Sequence, residues 1–124
     1  MSNFKYVGKK LFVEKLSAVN VAKKNLTPFY LYSAEQIKEN YLSFTKIFKS
    51  VKPLICYAAK ANTNLAILKI LSKLGSGADV VSGGELLKAL KAGIKPHKIV
   101  FSGVGKTEEE LKIAINKKIL LINI

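Results

Sequence analysis

Arginine is absent from this sequence. All 21 basic residues of the 124-residue chain are lysine, against eight acidic ones, for a formal net charge of +13. An excess of that size ordinarily raises nucleic acid as a partner. Arginine, however, supplies the planar fork that grips phosphates and base edges in bidentate fashion. The lysines are also scattered: they pair at Lys9 and Lys10, Lys23 and Lys24, and Lys117 and Lys118, with no block of five or six. Nucleic-acid binding is therefore not expected. Cysteine is nearly absent, and the single Cys56 excludes an internal disulfide framework. Long apolar stretches are missing too. The run LICYAA, residues 54–59, is among the longest, whereas a spanning helix needs about 20 apolar residues. The opening MSNFKYVGKK lacks an apolar core of signal-peptide length. These absences predict a cytoplasmic protein with no membrane association, and the length allows one small domain or part of one.

What is present is a repeated pattern. From about residue 54 onward, short apolar runs alternate with helical stretches: PLICYA (53–58), ADVVS (78–82), KIVFSG (98–103) and KILLINI (118–124). Their starts lie about 20 to 25 residues apart, the spacing of successive strand and helix units in a parallel sheet. Ser82 with Glu85 and Thr107 with Glu110 have capping-box spacing, in which a hydroxyl and the side chain three residues on satisfy free backbone N–H groups. Leu86, Leu87 and Leu90 follow the first, and Leu111, Ala114 and Ile115 the second. Gly93 suits a left-handed helix end, and Pro96 forbids continuation. After Lys60, Asn62 or Thr63 is the expected cap of a helix whose apolar positions are Leu65, Leu68, Leu71 and Leu74. Upstream, TPFYLYS (27–33) reads as a strand, followed by a helix capped by Ser33 and Gln36. That helix lines up Ile37, Tyr41, Phe44, Phe48 and Val51 on one face for packing. Residues 1–26 hold only one weak apolar segment, LFVEKL, and receive no assigned structure. Periodicity alone leaves an open doubly wound sheet and part of a barrel both possible. KILLINI, with no helix after it to cover it, points to a truncated sheet.

Two glycine patterns invite a phosphate-binding reading and fail it. GVGKT (103–107) ends like a phosphate-binding loop, but the required earlier glycine is Val100. GSGADV (75–80) has Val80 at the third glycine position, and its glycines precede the strand; it reads as a turn. A sharper feature is CYAAKANTNLAIL (56–68). Lys60 follows an apolar strand and precedes a helix start, which puts it at the carboxyl end of a strand, where barrel and α/β enzymes place their chemistry. Partial desolvation there disfavours the ammonium form and frees the amine to react with an aldehyde. Among 21 lysines, one at a strand end is also expected by chance.

Three blocks in register carry more weight. YAAKANTNLAIL resembles the cofactor-lysine motif of the alanine-racemase-like barrel decarboxylases that use pyridoxal phosphate, and within them the diaminopimelate decarboxylases. GSGADVVSGGEL (75–86) and IVFSGVGKTEEEL (99–111) resemble that family's next two blocks, in the same order and at similar spacing. TPFYLYS resembles the strand leading into its first barrel helix, so the similarity runs from about Thr27 to the end.

The resemblance implies an α/β fold: a partial (β/α)8 TIM barrel of the alanine-racemase type, about its first half, with an N-terminal strand segment. Residues 1–26 would belong to the second, β domain of the full enzyme, and 27–124 to the first part of the barrel that binds pyridoxal 5'-phosphate. Lys60 would join the cofactor covalently, with Asp79 and Glu85 as acidic neighbours lining the site. Taken on their own residues, Glu85 is equally a capping-box member and Asp79 a strand-end carboxylate with local hydrogen bonds. His97, in the turn KPHKI, does not match the family's ring-stacking histidine. Cys56 does not match its catalytic cysteine and reads as a small buried side chain on a strand.

The implied reaction is decarboxylation of meso-2,6-diaminopimelate to L-lysine and CO2 by a homodimer. The blocks that would bind phosphate, pair with the ring nitrogen and complete the site have no counterpart here. This chain alone is therefore expected to be inactive, with a separately encoded C-terminal part as a possible partner. Three other readings remain: a related ornithine- or arginine-type decarboxylase, a non-catalytic pyridoxal-phosphate-binding protein, and a basic binding module without cofactor.

Overall fold

The computed structural model describes residues 3–124. Two compact units divide the chain, one ending at Asn40 and the other running from Tyr41 to Ile124.

The first unit is built by tight turns. Strands β1 (Phe4–Val7), β2 (Lys10–Val13) and β3 (Leu16–Ser17) form an antiparallel meander in the order β1-β2-β3. Val7 pairs with Lys10, so Gly8 and Lys9 make a two-residue loop, and Gly8 takes the positive φ of 60° that the reversal demands. Val13 pairs with Leu16 across a second two-residue loop, where Glu14 adopts a φ of 55°. Helix α1 (Ala18–Lys24) follows directly on Ser17. This region, left unassigned on sequence, is ordered by hairpin register. Gly8 was the visible signal, but Glu14 at the second turn is not a residue that advertises one.

The carboxylate of Glu14 accepts from the Ser33 hydroxyl (2.7 Å) and from the Glu35 N–H (3.0 Å), which satisfies the start of helix α2 (Ala34–Ile47) from outside it. Ser33 caps the helix as expected, its hydroxyl accepting from the Gln36 N–H at 3.0 Å. The side chain of Gln36, however, accepts from the Asn3 N–H and does not complete a reciprocal box. TPFYLYS forms no ladder: the peptide bond between Thr27 and Pro28 is cis, and Tyr30 and Tyr32 are exposed and stacked at 6.3 Å. A strand needs a partner to satisfy its backbone groups, and among the described residues none pairs with this segment.

In the second unit the expected alternation appears. Strands β4 (Cys56–Ala58), β5 (Gly77–Val80), β6 (Ile99–Phe101) and β7 (Leu121–Ile122) pair in sequence order, all parallel. Helices α3 (Leu65–Lys73), α4 (Gly83–Lys91) and α5 (Glu108–Asn116) connect them. The register puts Tyr57, Ala78, Val80, Ile99, Phe101 and Ile122 on the helix-covered face, where they join Leu68, Leu86, Ala89 and Ala114 in one apolar cluster. Phe101, Leu68 and Leu86 are fully buried. Burying a side chain of this size contributes roughly 1.5–3 kcal/mol each.

The helix ends follow local chemistry. Thr107 and Glu110 form a complete capping box at α5. At α4 the Ser82 hydroxyl accepts from the Glu85 N–H as expected, but the Glu85 carboxylate reaches back one residue further, to the Val81 N–H at 2.8 Å. The cap of α3 is Asn64, which accepts from the Ala66 N–H at 2.9 Å, and neither Asn62 nor Thr63; Asn62 instead accepts from the Asn64 N–H. Gly93 closes α4 at a φ of 91° with the Ile94 N–H bonded to the Ala89 carbonyl. The expected apolar row of α2 is only partly covered: Ile37 and Tyr41 are half-buried and Phe44 is exposed, while Phe48 and Val51, exposed too, lie past the helix end at Ile47. Leu120, Leu121 and Ile124 at the β7 edge are exposed as well. Among the described residues no helix is long and apolar enough to cross a membrane.

Candidate functional site

The carboxyl ends of the four parallel strands lie together, as parallel pairing requires. Lys60 stands at the first of them. Strand β4 ends at Ala58, and one 3-10 turn, Ala59–Ala61, carries the lysine before α3 begins. The turn is pinned on both sides: Ala59 is completely buried, and the Asn62 N–H returns to its carbonyl at 3.1 Å. Asn62 and Asn64 then turn the chain into the helix. The backbone of Lys60 is therefore fixed while its side chain is exposed. The partial desolvation expected of a strand-end lysine is not supplied by the described residues.

Asp79 lies on β5, opposite Ala58 in the register and on the face away from the apolar cluster. Its Oδ1 is buried with no hydrogen-bond partner among the described residues. A buried carboxylate oxygen without a partner costs about 1–3 kcal/mol or more, so a donor from outside these residues fits it. That observation, with the exposed amine of Lys60 at the end of the neighbouring strand, suits a group bearing an aldehyde and a hydrogen-bond donor. Glu85 is differently placed: its carboxylate is already held by the Val81 N–H. Among the described residues neither carboxylate is ion-paired with Lys60.

Of the remaining candidates, His97 falls where the sequence put it and Cys56 is on its strand but less buried than expected. His97 is exposed in the turn Pro96–Lys98 that precedes β6. Cys56 is half-buried on β4; burial, and secondarily the charge of Asp79, pushes its thiol pKa up, the opposite of what a reactive thiolate needs. In the GVGKT turn, the Lys106 ammonium is engaged by the carbonyls of Gly103 and Asn123, which leaves it unavailable for a nucleotide phosphate. One participant was missed on sequence. Glu110, besides closing its own box, accepts from the Gly83 N–H at 2.6 Å and so joins the starts of α4 and α5. Hydrogen bonds from the Thr107 and Gly83 N–H groups hold its carboxyl pKa below the ordinary value. Only the tertiary pairing of β5 with β6 brings Gly83 to it. Among the described residues no group of three or more histidine, cysteine and carboxylate side chains could hold a metal ion.

A parallel sheet backed by helices carries an exposed lysine and, among the described residues, a buried unpartnered carboxylate oxygen at its strand ends, and comparison with known proteins gives the class. Residues 34–124 match the pyridoxal binding domain of the pyridoxal-dependent decarboxylases, and the chain belongs to that family. Within it, the chain is similar to the diaminopimelate decarboxylases. It is 58% identical to that of Helicobacter pylori J99 over 98 residues, 79% of this chain and 24% of the relative. It is 50% identical to that of Aquifex aeolicus over 114 residues, 92% of this chain and 27% of the relative. The crystal structure of the M. jannaschii diaminopimelate decarboxylase, solved with L-lysine, superposes with a TM-score of 0.94 at 40% identity, covering all of this chain and 31% of that one. The chain thus spans between a quarter and a third of the length of these relatives. The parallel βα run is a partial barrel of the alanine-racemase type.

Proposed function

We propose that Lys60 is the residue to which pyridoxal phosphate attaches, in a protein that decarboxylates meso-2,6-diaminopimelate to L-lysine and CO2. The observation that carries this reading is that Lys60 and Asp79 stand at the ends of adjacent strands: a fixed backbone presenting an exposed amine after β4, and on β5 a buried carboxylate oxygen with no donor among the described residues. The relatives' name favours diaminopimelate over the ornithine- and arginine-type substrates. When bound, pyridoxal phosphate supplies an aldehyde that binds amines and a ring that takes up the electron pair left by CO2.

The chain's own contribution is narrower. Lys60 would provide the amine that holds the cofactor. Asp79, whose Oδ1 has no partner among the described residues, would help hold that group by accepting a hydrogen bond. Glu85, by holding the Val81 N–H, fixes the turn that follows Asp79 and would line the cofactor site from there. The parts that would hold the phosphate and pair with the ring nitrogen would be supplied by the rest of the enzyme, residues 1–26 joining its β domain and a homodimer completing the site. This chain alone, or with a separately encoded remainder absent, would turn over no substrate.

The test is reductive labelling. The 124-residue chain is mixed with pyridoxal phosphate, reduced with borohydride and mapped by peptide mass. The expected result is an adduct concentrated on Lys60, lost in Lys60→Ala and reduced in Asp79→Asn. Label spread evenly over the lysines would reject the assignment.

A further inference from the structure

The lysine of the GVGKT turn has no part in the reading above, yet it is the most heavily engaged lysine at the strand ends. Lys106 is half-buried between β6 and α5. Its Nζ donates to the Gly103 carbonyl within its own loop and to the Asn123 carbonyl just past β7. It also lies 5.4 Å from the centroid of the Phe101 ring, the fully buried side chain that ends β6. Among the described residues no carboxylate pairs with it. A compact ammonium with three donors suits carbonyls converging from two chain segments, and a hydrogen bond from a charged donor is worth more than a neutral one.

The loop that Lys106 ties down is itself pressed against the next strand end. A Cβ at Gly103 would fall 2.2 Å from the Val81 carbonyl oxygen, so only glycine permits this approach. Val81 is the residue whose N–H binds Glu85, and two residues before it Asp79 stands opposite Ala58, which leads into Lys60. One row of contacts therefore crosses the carboxyl ends of all four strands, and Lys106 secures its far side.

We propose that Lys106 is a positioning residue: it clamps the carboxyl ends of β6 and β7 together and, through the contact of Gly103 with Val81, holds the strand-end layer in which Lys60 stands. The link to Lys60 rests on the reading of that residue as the attachment lysine; the clamp itself does not.

The test uses the full 124-residue chain with Lys106→Met and Lys106→Arg. Amide hydrogen exchange is followed at Asn123 and Ser102, whose N–H groups bond to the Phe101 and Val80 carbonyls across the sheet, with Leu68 in α3 as the control. The Met variant is expected to exchange about tenfold faster at Asn123 and Ser102 with Leu68 unchanged, as loss of one charge-assisted hydrogen bond implies. It should also lower the share of reductive pyridoxal-phosphate label found on Lys60. The Arg variant, which keeps the charge but spreads its donors over a plane, should fall between, and it carries the test if the Met variant does not fold. Unchanged exchange at Asn123 and Ser102 would overturn the clamp. Faster exchange with an unchanged Lys60 share would overturn its link to the site. Even labelling already in the unsubstituted chain would reject the reading of Lys60, with the exchange result still deciding the clamp.

Discussion

The two compact units use the same lysine-rich alphabet and are held by different physics. Up to Asn40, only Val13 and Ser33 are buried among the described residues, and order comes from hairpin register and from Glu14 binding the start of α2. From Tyr41 onward, eleven buried residues from Ala59 to Ala114 form one continuous cluster between sheet and helices. One short chain therefore contains both a directional hydrogen-bond scaffold and an area-driven core. The core lies in the unit that carries Lys60, so the reading of Lys60 as the attachment lysine places it on a rigid base.

The sharpest way to break this comparison is to hollow each unit in turn. Phe101→Ala should cost about 3–5 kcal/mol, the range for emptying a fully buried aromatic site. Val13→Ala should cost nearer 2 kcal/mol, two methyl groups lost from a thinner layer. Denaturant unfolding of both variants measures the difference, and equal losses would show that the first unit is stabilised by burial after all. Thr107→Ala removes the hydroxyl of the complete capping box and should cost about 1 kcal/mol. Thr107→Ser, which retains the hydroxyl, should recover most of it in the same measurement.

The smallest effect is acid sensitivity, and it has a counterpart in each unit. The Glu35 N–H and then the Ser33 hydroxyl lower the Glu14 pKa below 4.5; the Thr107 and Gly83 N–H groups do the same for Glu110. A carboxyl with a depressed folded-state pKa adds stability above its unfolded value and loses it as the pH falls through the folded one. Stability should therefore be level above pH 4.5 and decline below it. Glu14→Gln should flatten part of that decline for the first unit and Glu110→Gln for the second. Thermal melts between pH 6 and pH 3 would show whether each substitution acts on its own unit.

Much of the second unit was legible because its signals are local. Alternating apolar runs gave β4 to β7, Thr107 with Glu110 gave a real box, and Gly93 gave the end of α4. The misreadings share a cause. TPFYLYS has strand residues but no partner among the described residues, α2 has an apolar face that they cover only in part, and Glu85 binds Val81 in place of Ser82. Each depends on what another segment offers, which no local pattern encodes. The meander of the first unit was missed for a related reason: its turns are Gly8-Lys9 and Glu14-Lys15, and only the first carries a recognisable residue.

By itself the sequence determined the order of strands and helices from β4 to β7, the strand-end location of Lys60 and the family resemblance of three blocks, because chain spacing and residue type settle those. Only the tertiary structure decided which groups meet. Parallel register brought Asp79 beside Ala58 and left its oxygen without a donor. The pairing of β5 with β6 delivered Gly83 to Glu110. The approach of Gly103 to Val81, secured by Lys106, closed the row of strand ends. Contacts between residues far apart in sequence exist only once the backbone has been folded to bring them within hydrogen-bonding distance, and the candidate site consists of such contacts.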